Sequence, residues 1–226
     1  MTARHLYIAT PSHSGETVSE YDQSLIDTTA LLARNGVHYT HGVIIGNALV
    51  HDARNQLVSW FLATDATDML FIDADIGWQP EAALRLALSP HDVIGGAYPQ
   101  KREGVETYNV AGLKPSSSGL VEVDYMGTGF LKIRRRAIEK LIKAHPDTRY
   151  QAADGREVYG LFQAPIADGK LTGEDAFFCR LWRASGGKVF LDPDMTLWHV
   201  GRKVWCGNFG ELVRRANDAV AAQMEG

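Results

Sequence analysis

Cysteine is nearly absent from this chain: Cys179 and Cys206 are the two among 226 residues. That excludes a disulfide framework and a zinc site built on paired thiols, and it implies free thiols in a reducing compartment. No apolar run approaches the roughly 20 residues that cross a bilayer. Nothing signal-like follows Met1 to His5, so a cytoplasmic protein without a membrane span is expected. Charge of one sign is lacking too: 23 Lys and Arg against 27 Asp and Glu leave a net charge of −4, which excludes a general attraction to nucleic acid or anionic membrane. The basic residues form small separated groups, Lys101-Arg102, Arg134 to Arg136, Arg202-Lys203 and Arg214-Arg215. They read as surface charge, and they would line a nucleic-acid path only by sharing a face. There are no repeats or low-complexity tracts, and no Gly-Lys-Ser or Gly-Lys-Thr loop, which excludes a P-loop ATPase.

What is present suits an ordinary globular protein, 45% hydrophobic and 22% charged. The length supports one substantial core, and we read one domain over residues 1–226. The stretch that organises it is Met69 to Trp78, MLFIDADIGW. Four apolar residues run without alternation into Asp73, Ala74 and Asp75, as in a strand buried on both faces that ends in two carboxylates. Bare buried carboxylates cost several kcal/mol each, so they need a cation, a donor-rich turn or water. Either a divalent metal answers that need, or the aspartates cap the helix that Pro80 opens. In open α/β sheets, ligands collect beyond the carboxyl ends of the strands, where Asp73 and Asp75 would lie.

The remaining pattern alternates strands with helices. Leu6 to Thr10 reads as a first strand, with Pro11, Ser12, His13, Ser14 and Gly15 as a polar turn and candidate nucleotide-base site. A helix over Val18 to Ala33, a strand over Val37 to Ile45 and a helix over Leu49 to Ala63 follow. The last carries Arg54 and Asn55 in a polar stripe, where Arg54 would grip a diphosphate or pair with Asp52 or Asp65. After a helix over Glu81 to Leu88 and a strand over Asp92 to Ala97, residues 103–124 read as a hairpin excursion or a flap. Gly127, Thr128 and Gly129 precede a strand reaching Ile133, with a helix over Arg134 to Ala144. Residues 147–170 suit a substrate-facing loop. Thr172 reads as the N-cap of a helix over Ala176 to Ala184, with Glu174 and Asp175 at its positive end. Short strands at Lys188 to Leu191 and Thr196 to Val200 and a helix over Asn208 to Ala222 complete the chain.

Taken in order, Asp73-Ala74-Asp75, Gly127-Thr128-Gly129, Gly173-Glu174-Asp175 and His199 resemble the landmarks of glycosyltransferases with the GT-A fold. ARNQLV, MLFIDADIGWQPEAALRLAL and VIGGAYPQK are similar to family 2-like members, including small phage and bacterial ones. The resemblance covers roughly Leu6 to Val200. It implies an α/β fold with a mixed, mostly parallel central sheet flanked by helices, a nucleotide-binding half over about 1–98 and an acceptor-binding half over about 99–226. It implies a nucleotide-diphosphate sugar, such as a UDP-sugar, as donor, with Thr10, Pro11, Ser12, Arg54, Asn55, Asp73, Ala74 and Asp75 beside it. Mn²⁺ or Mg²⁺ would be the cofactor, ligated by Asp75 and His199, with Asp73 binding the metal, directly or through water, or else the ribose, since hard cations favour oxygen and an imidazole tilts the choice towards Mn²⁺. Asp175, next to Glu174, would be the base that takes the acceptor proton, or an acceptor-binding group in a retaining enzyme. Gly127 to Gly129 would floor the site, and Arg202 and Lys203 would clamp the diphosphate or stay solvated. The acceptor would be a glycan, a metabolite or a modified DNA base. Two competing readings are a nucleotidyltransferase, which shares the carboxylates and metal, and an inactive sugar-nucleotide-binding protein.

Overall fold

The structure, a computed structural model, describes residues 4–115, 119–167, 169–201 and 203–224. Its first part alternates as the spacing predicts: β1 (His5–Ser12), α1 (Ser19–Arg34), β2 (His38–Ile45), α2 (Val50–Leu62), β3 (Asp68–Ile72), a short β4 (Ile76–Trp78), α3 (Pro80–Leu88) and β5 (Val93–Gly95). Four short strands follow, β6 (Val110–Ala111), β7 (Lys114–Pro115), β8 (Val121–Val123) and β9 (Tyr125–Met126), and then β10 (Phe130–Arg134) and α4 (Arg135–Ala144). Next come the paired β11 (Arg149–Gln151) and β12 (Glu157–Tyr159), and the paired β13 (Ile166–Ala167) and β14 (Lys170–Leu171). The chain continues through α5 (Glu174–Ala184), β15 (Val189–Leu191), β16 (Thr196–Val200), β17 (Val204–Asn208) and α6 (Phe209–Met224).

Eight strands form the central sheet in the order β2-β1-β3-β10-β5-β15-β8-β7. β10 and β8 run against the other six, so the sheet is mixed and mostly of one direction. Its third strand in that order, β3, is buried along its whole length. Because side chains alternate across a strand, Met69 and Phe71 enter one core and Leu70 and Ile72 the other. The first core is closed by Leu57 and Phe61 of α2, Leu141 of α4 and Phe178 of α5. The second is closed by Tyr21 and Leu32 of α1 and Leu86 of α3. Each such side chain contributes about 1.5–3 kcal/mol on leaving water, and together they fix the position of the carboxyl end of β3.

The chain leaves the sheet at that end. Asp73 to Asp75 form a turn, in which Ile76 donates its amide to the Asp73 carbonyl at 3.0 Å. The strand thus ends at the two carboxylates as expected, and the following β4 belongs to a separate antiparallel sheet, β17-β16-β4. Its register sets His199 opposite Ile76, and Val200 donates its amide to the Asp75 carbonyl at 2.8 Å. Gly77 is needed there, because a Cβ would lie 2.9 Å from Cβ of Glu20 on α1.

Residues 103–124 hold the hairpin excursion rather than a plain flap: β7 pairs antiparallel with β8, which joins the main sheet, and β6 pairs with β9. Two sequence expectations are corrected. Residues 147–170 contain two hairpins, and β17 went unread. At α5 the N-cap is Gly173, with no side-chain cap, so Thr172 does not fill that role.

Candidate active site

Two clefts meet at the end of β3. One, of about 430 Å³, is lined by Pro11, Ser12, His13, Asn47, Val50 and the Asp73 to Asp75 turn. The other, of about 450 Å³, is lined by Asp73, Asp75, Tyr98, Lys101, Asn109 and His199. Both lie within the roughly 300–1,000 Å³ usual for small-molecule sites. The two aspartates form the ridge between them.

Asp75 and His199 face each other across this ridge. The His199 Nδ1–H donates to the Pro99 carbonyl at 2.8 Å, so Nδ1 carries a proton, and Nε2 points to Asp75 Oδ2 at 3.6 Å. That distance is too long for a good hydrogen bond. The ammonium of Lys101 pairs with the same Oδ2. Burial pushes the Asp75 carboxyl up, but His199 and Lys101 outweigh it and hold it below the usual range. An imidazole fixed through one nitrogen, with the other aimed at a carboxylate, is the arrangement that metal-binding histidines adopt. Two atoms 3.6 Å apart can both ligate one ion at about 2.1 Å each. The pair therefore fits a divalent cation.

Asp73 is held differently. Arg54, 3% exposed, donates from Nη1 to Asp73 Oδ1 at 3.0 Å and from Nη2 to Oδ2 at 3.3 Å. Its Nε lies 3.7 Å from Glu174 Oε1 and has no hydrogen-bond partner. Burial alone would lower the Arg54 pKa, but the surrounding carboxylates raise it, so it stays charged. Among the described residues, no three His, Cys, Asp or Glu side chains gather closely enough to hold a metal ion. Asp75 and His199 come together; Asp73, expected with them, is turned towards Arg54. The expectation that Arg54 pairs with Asp52 or Asp65 is also corrected. Asp52 accepts from Asn47, Gln56 and Tyr150, and Asp65 pairs with His5.

The Gly-Thr-Gly stretch lies beside this ridge because β10 runs antiparallel to β3, and Asp73 donates its amide to the Gly129 carbonyl at 3.1 Å. A Cβ on Gly129 would stand 2.6 Å from Tyr98 Oη and 2.7 Å from Asp73 Oδ2, so the close approach needs glycine. At the start of α5, Asp175 Oδ1 accepts from both the amide and the hydroxyl of Thr128, the amide at 3.2 Å. Its Oδ2 accepts from Asn109 Nδ2 at 3.2 Å. Burial pushes the Asp175 carboxyl up to about 6, with Glu174 and Asp73 adding to the rise and Arg54 and Thr128 opposing it.

Other expected residues take other positions. Pro11 and Ser12 line the first cleft, with the Ser12 hydroxyl donating to the Glu16 carbonyl, and Ala74 lies in its wall. Thr10 is fully buried beside the Tyr21 hydroxyl and His41, away from that cleft. Asn55 grips the backbone of Phe162 with both amide atoms, each at 2.8 Å, and so clamps a loop. Lys203 pairs with Glu103. Arg202 lies outside the described residues. Sequence reasoning missed Tyr98, Lys101 and Asn109, whose signals are single polar residues in loops.

The result is an α/β protein whose mixed sheet presents a carboxylate and an imidazole, fit for a cation, beside a half-buried acid. No family model matches the sequence, and no curated protein matches it. Among solved structures the chain is similar to a Drosophila β1,4-galactosyltransferase 7 mutant in complex with manganese, UDP-Gal and xylobiose. That match has 17% identity, a TM-score of 0.45, and covers 84% of this chain and 65% of that one. It is also similar to a glycosyltransferase involved in glycosylation of the major capsid of PBCV-1, at 12% identity and TM-score 0.34, over 63% of this chain and 66% of that one. The chain thus spans less than two thirds of either protein. At these scores the likenesses decide nothing about function, which has to be read from the residues.

Proposed function

We propose that this chain is a GT-A type glycosyltransferase that moves a sugar from a nucleoside-diphosphate sugar to an acceptor hydroxyl with a divalent cation. The observation that carries the reading is the convergence of Asp75 and His199 on the ridge shared by two clefts, one of which also contains Asn109, the partner of Asp175. The first cleft takes the nucleotide and the second the acceptor. Asp75 and His199 would hold Mn²⁺ or Mg²⁺, which would offset the charge gathering on the departing diphosphate.

The chain's own groups supply the rest. Asp175 takes the proton of the acceptor hydroxyl as its oxygen bonds to the anomeric carbon and the bond from that carbon to the diphosphate breaks, the electron pair leaving with the diphosphate. With a pKa of about 6, Asp175 is ionised at neutral pH yet more basic than an ordinary carboxylate, which suits a general base. Asn109 and Thr128 fix its two oxygens. Arg54 keeps Asp73 and Glu174 apart and oriented, and Gly129 lets backbone approach the reacting centre. The stereochemical course follows from that role: a base at Asp175 gives inversion, and a retained product would leave Asp175 to bind the acceptor.

Incubating the chain with Mn²⁺ and either sugar nucleotides or nucleoside triphosphates, over a panel of hydroxyl acceptors, tests this. Release of nucleoside diphosphate from a sugar nucleotide is expected. Pyrophosphate release from a triphosphate would make the chain a nucleotidyltransferase, and binding without turnover would make it a sugar-nucleotide-binding protein.

A further inference from the structure

Lys101 lies in the loop after β5, and its ammonium sits on the carboxylate oxygen that also faces His199. The placement is built in several ways. The lysine stem crosses Gly201, where a Cβ would lie 3.2 Å from Lys101 Cδ and 3.1 Å from Trp205 Cζ3. The loop is tied down on either side: Gln100 donates its amide to the Thr107 carbonyl at 2.7 Å, Trp205 Nε1 donates to the Arg102 carbonyl at 3.0 Å, and Lys203 pairs with Glu103. One oxygen of Asp75 thus has two claimants. A cation held by Asp75 Oδ2 and His199 Nε2 would stand against an ammonium on the same atom, and like charges that close repel strongly.

We propose, building on the glycosyltransferase reading, that Lys101 is a placeholder cation for the donor site. It neutralises Asp75 before the donor arrives, and it transfers to the donor diphosphate when a divalent ion takes Asp75. Its 30% exposed side chain lines the cleft that shares Asp73 and Asp75 with the nucleotide cleft, so this shift needs a change of rotamer and no movement of the fold. The consequence is obligatory coupling. An ion alone must displace an ammonium with nowhere better to go, whereas an ion arriving with a diphosphate gives that ammonium a new anionic partner. Ion and nucleoside diphosphate therefore tighten one another, and by linkage the factor is the same in both directions.

The test follows free Mn²⁺ by electron paramagnetic resonance, with the intact chain and with each common nucleoside diphosphate present or absent, correcting for ion held by free nucleotide. In the wild type, the right nucleotide should tighten Mn²⁺ by about tenfold or more, within the usual range of coupling between sites. Lys101→Met should bind Mn²⁺ alone more tightly than the wild type and lose most of the coupling, and Lys101→Arg, which keeps the charge, should restore it. Lys101→Gln provides the same measurement should the methionine variant not fold. Equal Mn²⁺ affinity and equal coupling in wild type and neutral variant would overturn the placeholder role and leave the transferase reading standing. No Mn²⁺ binding by the wild type with any nucleotide would overturn both.

Discussion

Arg54→Met isolates the charge network that fixes the ridge. The guanidinium is 3% exposed and serves Asp73 through two hydrogen bonds and Glu174 through a third contact. Methionine keeps most of the hydrocarbon stem beside Phe71, over whose ring the guanidinium carbon lies at 5.5 Å, so packing changes little. Removing one partner of a buried ion pair costs about 3–5 kcal/mol, because the other charge stays desolvated. Asp73 and Glu174 keep 25% and 19% of their side chains exposed, and water relieves part of that penalty. The lower end, about 3 kcal/mol, is therefore expected. For a chain of this size it corresponds to a fall in Tm of about 6–12 °C. Urea unfolding at pH 7 measures the loss directly, and Arg54→Met combined with Asp73→Asn should cost clearly less than the sum of the two single changes. A single variant within about 0.5 kcal/mol of wild type, which is what an ordinary surface substitution costs, would refute the network.

Asn55→Ala leaves the buried amide and carbonyl of Phe162 without partners, and should destabilise the chain by about 1–3 kcal/mol while speeding hydrogen exchange at the Phe162 amide. Unchanged exchange there would mean that the loop is held by other contacts. Asp175 has a folded pKa of about 6 against an ordinary 3.8, so the native state binds its proton more tightly than the unfolded state. Its contribution to stability is therefore greatest near pH 4 and is lost as pH rises through 6. Asp175→Asn should gain stability relative to wild type above pH 6 and show no gain near pH 4, and a gain independent of pH would refute the shift. With Asp175 as the proposed base, transfer would need the ionised acid, so its rate should drop about tenfold per pH unit below 6, and a rate flat down to pH 5 would place the base elsewhere.

The parts of the site carried by one contiguous stretch were legible in the sequence. An unbroken apolar run ending in Asp73 and Asp75 announces a strand buried on both faces and two carboxylates at its end, because an unpaired charge is costly inside the sheet. Glu174 and Asp175 were legible in the same way, as acids in the first turn of a helix. The partnership of Asp75 with His199 depends on the β4–β16 register across more than 120 residues, and nothing local to either residue encodes it; only the order of motifs pointed there. The surface pairing read for Arg54 failed for a related reason. Its helix was evident, but whether its guanidinium reached Asp52, Asp65 or the end of β3 depended on how α2 lies on the sheet. Thr172 failed because the helix starts one residue later, at Gly173, a residue type that an N-cap also tolerates. Lys101 and Asn109 carried no pattern, since a polar residue in an irregular loop acquires meaning only from what folds against it.

The central claim is that Asp75 and His199 together hold one cation under the donor diphosphate. Thermal unfolding with Mn²⁺, with nucleoside diphosphate, and with both measures it most directly. At a ligand concentration about a hundredfold above its Kd, binding to the native state adds about 2.7 kcal/mol, which is about 5–10 °C for a chain of this length. The account predicts that rise in the wild type only when ion and nucleotide are both present, and its loss in Asp75→Asn and in His199→Ala. The same rise in either variant would contradict it.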